Sequence, residues 1–112
     1  MFEKFVLKGD ETRDKGSFKE SIEFYDKAIA ICPELPTGFF EKGNSLFKIN
    51  KYDEAIECYQ KCIELDPTYF IFYLNKAVAM IRAQKYDESI EVLDKAIELN
   101  PNSIEVYEYK GN

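Results

Sequence analysis

The sequence contains no histidine. The side chain that most often serves as a general base near neutral pH, and a common metal ligand, is therefore absent. Cysteine is scarce: three residues, an odd number with no secretory context around them. Free thiols in a reducing cytoplasm follow more naturally than a disulfide framework. The five glycines are isolated, so no glycine-rich phosphate loop exists. No excess of basic charge is found either. The net charge of −6 spreads along the chain as −2, −2, −1 and −1 over residues 2–35, 36–69, 70–103 and 104–112. With no basic patch to neutralise a phosphate backbone, nucleic acid is not an expected partner.

Long apolar runs are missing as well. The most apolar stretch, Tyr69 to Ile81, is 13 residues long and contains Asn75 and Lys76, too short to span a bilayer. Glu3, Lys4, Lys8 and Asp10 interrupt any apolar segment of the kind a signal peptide needs. A cytoplasmic protein without membrane partners is the expectation.

What the chain does have is repetition. Pro33, Pro67 and Pro101 are spaced 34 apart, and the same step links Phe5, Phe39, Tyr73 and Tyr107. It also links Gly9, Gly43, Ala77 and Gly111, then Ile22, Ile56 and Ile90, then Ala28, Cys62 and Ala96. Tyr-Asp-Glu-Ala-Ile-Glu at 52–57 returns as Tyr-Asp-Glu-Ser-Ile-Glu at 86–91. The units run over 2–35, 36–69 and 70–103, with a partial fourth unit or capping helix at 104–112.

Each unit reads as two helices. Phe39, Gly43 and Leu46 share one helical face, and Ala55, Ile56, Tyr59, Cys62 and Ile63 recur at helical spacing in the next. Gly16, Asn50 and Gln84 occupy the intervening turn, where a left-handed residue ends a helix. Glutamine suits that conformation least of the three, by up to about 1 kcal/mol. Glu23–Lys27, Glu57–Lys61 and Glu91–Lys95 are expected as i,i+4 ion pairs on the second helices. Small residues at 9, 43 and 77 and at 21, 55 and 89 let helices approach beside large neighbours. One such unit cannot bury its apolar face alone, but stacked units can.

These residues resemble the tetratricopeptide repeat family over nearly the whole chain. The family's aromatic, glycine, small, aromatic, alanine and proline positions fall on Phe39, Gly43, Ala55, Tyr59, Cys62 and Pro67. They fall again on Tyr73, Ala77, Ser89, Leu93, Ala96 and Pro101. The first unit is looser, with Thr12 where a large apolar residue is usual. The resemblance implies an all-α fold in one domain over 1–112: a right-handed superhelical solenoid of stacked antiparallel helix pairs. It further implies a concave face lined by the first helix of each pair, and a protein or peptide ligand in that face.

Offsets of 3, 4 and 3 along each first helix give the residues expected on this face. Repeat one offers Glu3, Val6, Asp10 and Arg13, and the partial fourth unit Glu105 and Glu108. Between them lie Phe40, Asn44, Phe47, Ile71, Leu74, Val78 and Ile81, the candidate peptide-binding residues. The groove so described is apolar in the middle and acidic at both ends. A contiguous apolar row of this size marks an interaction site, although neighbouring first helices also pack part of it against each other. Asn44 is placed to hydrogen-bond an extended peptide or simply to face water.

One subclass of the family grips the C-terminal carboxylate of chaperone tails with lysines, an arginine and asparagines. The matching positions here are Val6, Asp10, Glu41, Ile71 and Asn75, or, one unit later, Phe40, Asn44 and Asn75 followed by Glu105 and Glu108. The required cations are missing and the acids repel a carboxylate. That mode is excluded from the expectation.

No catalytic, metal or cofactor site emerges. Cys58 and Cys62 are i,i+4, but no further soft ligand is suitably spaced, and Cys62 replaces the alanines at 28 and 96. Cys32 precedes a proline and is the thiol expected to be exposed. The leading function is a protein–protein interaction module. The alternatives are a self-assembling repeat that forms a homo-oligomer through its open C-terminal end, and a regulatory segment of a larger enzyme. Because the last unit stops at Lys110-Gly111-Asn112, the chain is expected to be a slice of a longer array.

Overall fold

In the computed structural model, which describes residues 1–101, the chain forms six helices in strict 34-residue register. They are α1 (Phe2–Asp14), α2 (Phe18–Ile31), α3 (Pro36–Lys48), α4 (Tyr52–Leu65), α5 (Phe70–Arg82) and α6 (Tyr86–Leu99). No strand is found among the described residues. The expected cover over 104–112 and its role in self-assembly lie outside them.

The turns within each pair repeat in atomic detail. Gly16, Asn50 and Gln84 have φ of 84°, 65° and 66°, the left-handed conformation expected of a helix-ending residue. In each turn the next residue's amide reaches back five positions: Ser17 to Thr12 at 2.9 Å, Lys51 to Leu46 at 2.9 Å and Lys85 to Met80 at 2.8 Å. Together with the shorter bonds from Gly16, Asn50 and Gln84, this satisfies carbonyls that the helix end leaves without partners. Between pairs, Pro33 and Pro67 lie in turns, while Pro36 opens α3, where its missing N–H costs nothing. Asp66 closes one of these turns by accepting from the Thr68 amide at 3.2 Å and hydroxyl at 2.7 Å.

Helices pack consecutively, α1 on α2 through α5 on α6, with α1 also touching α3. The core runs along these seams, through Tyr25 and Ala28, then Leu46, Ala55, Tyr59 and Cys62, then Leu74, Ala77, Leu93 and Ala96. Small residues do set the approach. A Cβ on Gly43 would stand 2.8 Å from the Tyr59 ring and 3.2 Å from Cys58 Cβ, and one on Gly9 would collide with the Tyr25 ring. In the third pair Ala77 faces the slimmer Leu93. Buried Ser21 and Ser45 share a hydrogen bond of 2.8 Å, so neither hydroxyl is orphaned.

The expected i,i+4 ion pairs do not form. Lys61 and Lys95 lie instead toward Glu64 at 3.9 Å and Glu98 at 3.4 Å, one turn onward. Lys27 sits over the Phe5 and Phe24 rings at 5.7 and 5.6 Å. On exposed helix faces such alternatives differ by only a few tenths of a kcal/mol.

Candidate functional site

The first helices α1, α3 and α5 share a cleft of about 420 Å³ lined by Arg13, Glu41, Asn44, Phe47, Lys48, Tyr59, Asn75 and Val78. Its centre is polar. Tyr59 Oη donates to Asn44 Oδ1 at 2.6 Å, and Asn75 Nδ2 donates to the same oxygen at 3.4 Å. Asn44 Nδ2 in turn donates to Glu41 Oε1 at 3.4 Å. The acceptor capacity of Asn44 is thus committed, leaving it one N–H to offer, while Asn75 keeps its oxygen. Burial pushes the Tyr59 phenol up, so it remains a donor at physiological pH.

At the α1 end the charges pair among themselves. Arg13 Nη1 meets Glu41 Oε2 at 2.7 Å, and Arg13 Nη2 lies 3.6 Å from Asp10 Oδ1. Tyr25 Oη donates to the same Asp10 oxygen at 2.6 Å. Burial works to lower the Arg13 pKa, but the Glu41 hydrogen bond and charge outweigh it, and the net direction is up. Glu41 also moves up, first through burial and then through its hydrogen bond to Asp10, which together exceed the opposing pull of Arg13. With Asp14 Oδ1 4.0 Å from Arg13 Nε, three carboxyls crowd one guanidinium here.

The candidate residues divide. Asn44, Phe47 and Val78 line the cleft together. Phe47 carries Tyr52 at its edge, 5.3 Å between centroids, with Arg82 5.8 Å over the ring. Phe40 is half-buried, its ring 6.1 Å from Tyr59 and 5.4 Å from Phe72. Ile71 and Ile81 are half-buried against the α5–α6 core. Leu74 is not on an open surface: it is 4% exposed and packs with Ala77, Leu93 and Ala96. The apolar row is therefore interrupted, because facing helices consume its middle.

The cleft adds Glu41, Lys48, Tyr59 and Asn75 to the residues expected there. The signal was in the sequence: 41, 44 and 48 are spaced 3 and 4, as are 75, 78 and 82, which widens the face by one residue. Tyr59 reaches the cleft from a second helix only because Gly43 leaves room for its ring. The acidic Glu105 and Glu108 lie outside the described residues.

The buried thiols behave as core. Burial pushes Cys58 up to about 11 and Cys62 up to about 12. Among the described residues no cluster of three or more His, Cys, Asp or Glu side chains is arranged to hold a metal, and no helix is long and apolar enough to cross a membrane.

A superhelical stack of helix pairs with a cleft across its first helices defines a helical-repeat solenoid. Family models agree: one described as tetratricopeptide repeat matches residues 36–69, another of the same description 58–91, and one described as TPR repeat 9–49. The chain belongs to the tetratricopeptide repeat family, and its fold is the family's right-handed solenoid. It is similar to the TPR2B domain of yeast Sti1, solved in a complex with pHsp70, at 29% identity and a TM-score of 0.91. That match covers 98% of this chain and 93% of the other. The first TPR domain of Spaghetti (RPAP3), bound to the HSP90 peptide SRMEEVD, matches at 22% identity and TM-score 0.91, covering 98% of this chain and 89% of that one. MamA matches at 24% identity and TM-score 0.92, with 98% of this chain covering 64% of it. Among curated proteins no sequence matches.

Proposed function

We propose that this chain is a protein-interaction module that takes a peptide or helix in the cleft between α1, α3 and α5, and that it catalyses nothing. The observation that carries this is the Tyr59–Asn44–Asn75 chain beside Phe47 and Val78. It fixes one free N–H and one free carbonyl oxygen next to apolar surface, a pair suited to main-chain atoms of an extended ligand. Similar solved domains, one bound to an HSP90 peptide and one in a complex with pHsp70, support a peptide as the ligand class.

The ligand is not a carboxylate-terminated chaperone tail. At the clamp positions stand Val6, Asp10, Glu41, Ile71 and Asn75; of the two cations lining the cleft, Arg13 is already neutralised by Glu41 and Asp10, and Lys48 stands outside the clamp positions. A neutral or basic segment with apolar anchors fits better. Selection of displayed peptides on the folded chain tests this. Sequences with apolar anchors and no C-terminal acid requirement should emerge, and Asn75→Ala with Val78→Glu should abolish their binding. Enrichment of acidic C-terminal motifs, or binding that survives both substitutions, refutes it.

A further inference from the structure

A second and larger cleft, about 610 Å³, opens on the opposite side, where α2 and α4 flank α3. Ile22, Leu46 and Ile49 contribute apolar lining, and Lys19 and Lys51 line it too. Ile49 and Lys19 also line an adjoining recess of about 320 Å³.

The repeat supplies its own control. One unit later, positions 19 and 51 become Asp53 and Lys85, which form an ion pair at 3.3 Å. Lys19 and Lys51 hold the repeat-equivalent positions of that pair, with two positive charges in place of opposite ones. Neither makes an ion pair among the described residues, whereas the cleft's other cations do: Lys42 with Asp26 at 2.7 Å and Lys61 with Glu64 at 3.9 Å. In a chain of net charge −6, this is a local cationic gap beside the half-buried side chains of Ile22 and Ile49. A carboxylate placed between the two ammonium groups would recreate the neighbouring unit's geometry from outside.

We propose that the Lys19–Ile49–Lys51 part of this outer cleft docks a segment of a partner protein that presents a single carboxylate beside an aliphatic side chain. The aliphatic group lies on Ile22 and Ile49. Glu54 and Glu57, also lining the cleft, bar a second acid, so the segment is singly acidic at this point and not a polyanion. The site is independent of the first-helix cleft, and either can fail alone.

The test uses the full chain labelled with ¹⁵N and two probes, acetyl-Leu-Glu-Ile-amide and its glutamine counterpart. Saturable amide shifts over residues 17–22 and 49–51 are expected with the glutamate peptide, weakening with added salt. The glutamine peptide should bind about fivefold more weakly, and Lys19→Asp should cost about tenfold. That substitution copies the arrangement already present at Asp53, so the fold is retained; Lys51→Gln serves as a second variant. Equal binding of both peptides, shifts confined to Asn44 and Asn75, no binding, or unchanged affinity in both variants overturns the proposal.

Discussion

Tyr59 Oη donates to Asn44 Oδ1 at 2.6 Å, and Tyr25 makes the same bond to Asp10 one unit earlier, also at 2.6 Å. In the third unit the two positions are Leu93 and Val78, and the small residue beneath changes from glycine to Ala77. Three positions thus vary together. With tyrosine comes glycine for ring clearance and a polar residue for the hydroxyl; with leucine, alanine and valine suffice.

Gly43→Ala tests that coupling. Helix propensity favours alanine by about 1 kcal/mol, but overpacking against the Tyr59 ring costs about 1–3 kcal/mol. Urea denaturation should show a net loss of about 1 kcal/mol. The triple change Gly43→Ala, Asn44→Val and Tyr59→Leu, which copies the third unit, should recover most of it; losses that simply add would contradict the coupling.

Tyr59→Phe leaves the ring in place and removes only the hydroxyl. Stability should fall by about 1 kcal/mol, since Asn44 keeps other partners and can reach water. The same change at Tyr25 should cost at least as much, because its acceptor is the carboxylate of Asp10.

Glu41 provides a pH signature. Its pKa is raised in the folded chain above the ordinary 4.5, so the folded state holds this proton more tightly than the unfolded one. Stability linked to this group is therefore greatest below the ordinary value and is lost as pH rises from there through the folded pKa. Glu41→Gln should gain on the parent across that window and run parallel to it above. Denaturant midpoints measured at half-unit steps from pH 4 upward provide the check.

Gln84 has φ of 66° without the freedom of glycine. Gln84→Gly should raise stability by about 0.5–1 kcal/mol, the left-handed strain relieved exceeding the added unfolded-state entropy. Gly16→Ala at the equivalent position should lose a similar amount. Thermal unfolding of both variants decides the sign.

The repeat register, the turn residues and the core positions that repeat, such as Ala28, Cys62 and Ala96, were legible in the sequence, because each follows from a spacing that recurs three times. Gln84 in the left-handed turn is an example: its chemistry argues weakly, its register strongly. The cleft was less legible. Leu74 and Phe40 hold equivalent positions, yet only Leu74 is almost fully buried, which depends on how α5 packs on Leu93. Tyr59 was readable as a core aromatic, but its hydroxyl's reach into the cleft depends on the approach that Gly43 permits. The ion-pair partners of Lys61 and Lys95 depend on rotamer choice, which sequence spacing does not determine.

In the proposed mode of binding, the α1–α3–α5 face receives the ligand through the Asn44–Asn75 pair. Amide-shift mapping of the ¹⁵N-labelled chain with a peptide selected on it tests this most directly. The largest changes are expected at Asn44, Phe47, Asn75 and Val78, including the side-chain amides of the two asparagines, and should be lost in Asn75→Ala. Changes confined to α2, α4 and α6, with the Asn44 and Asn75 side-chain signals unmoved, would contradict it.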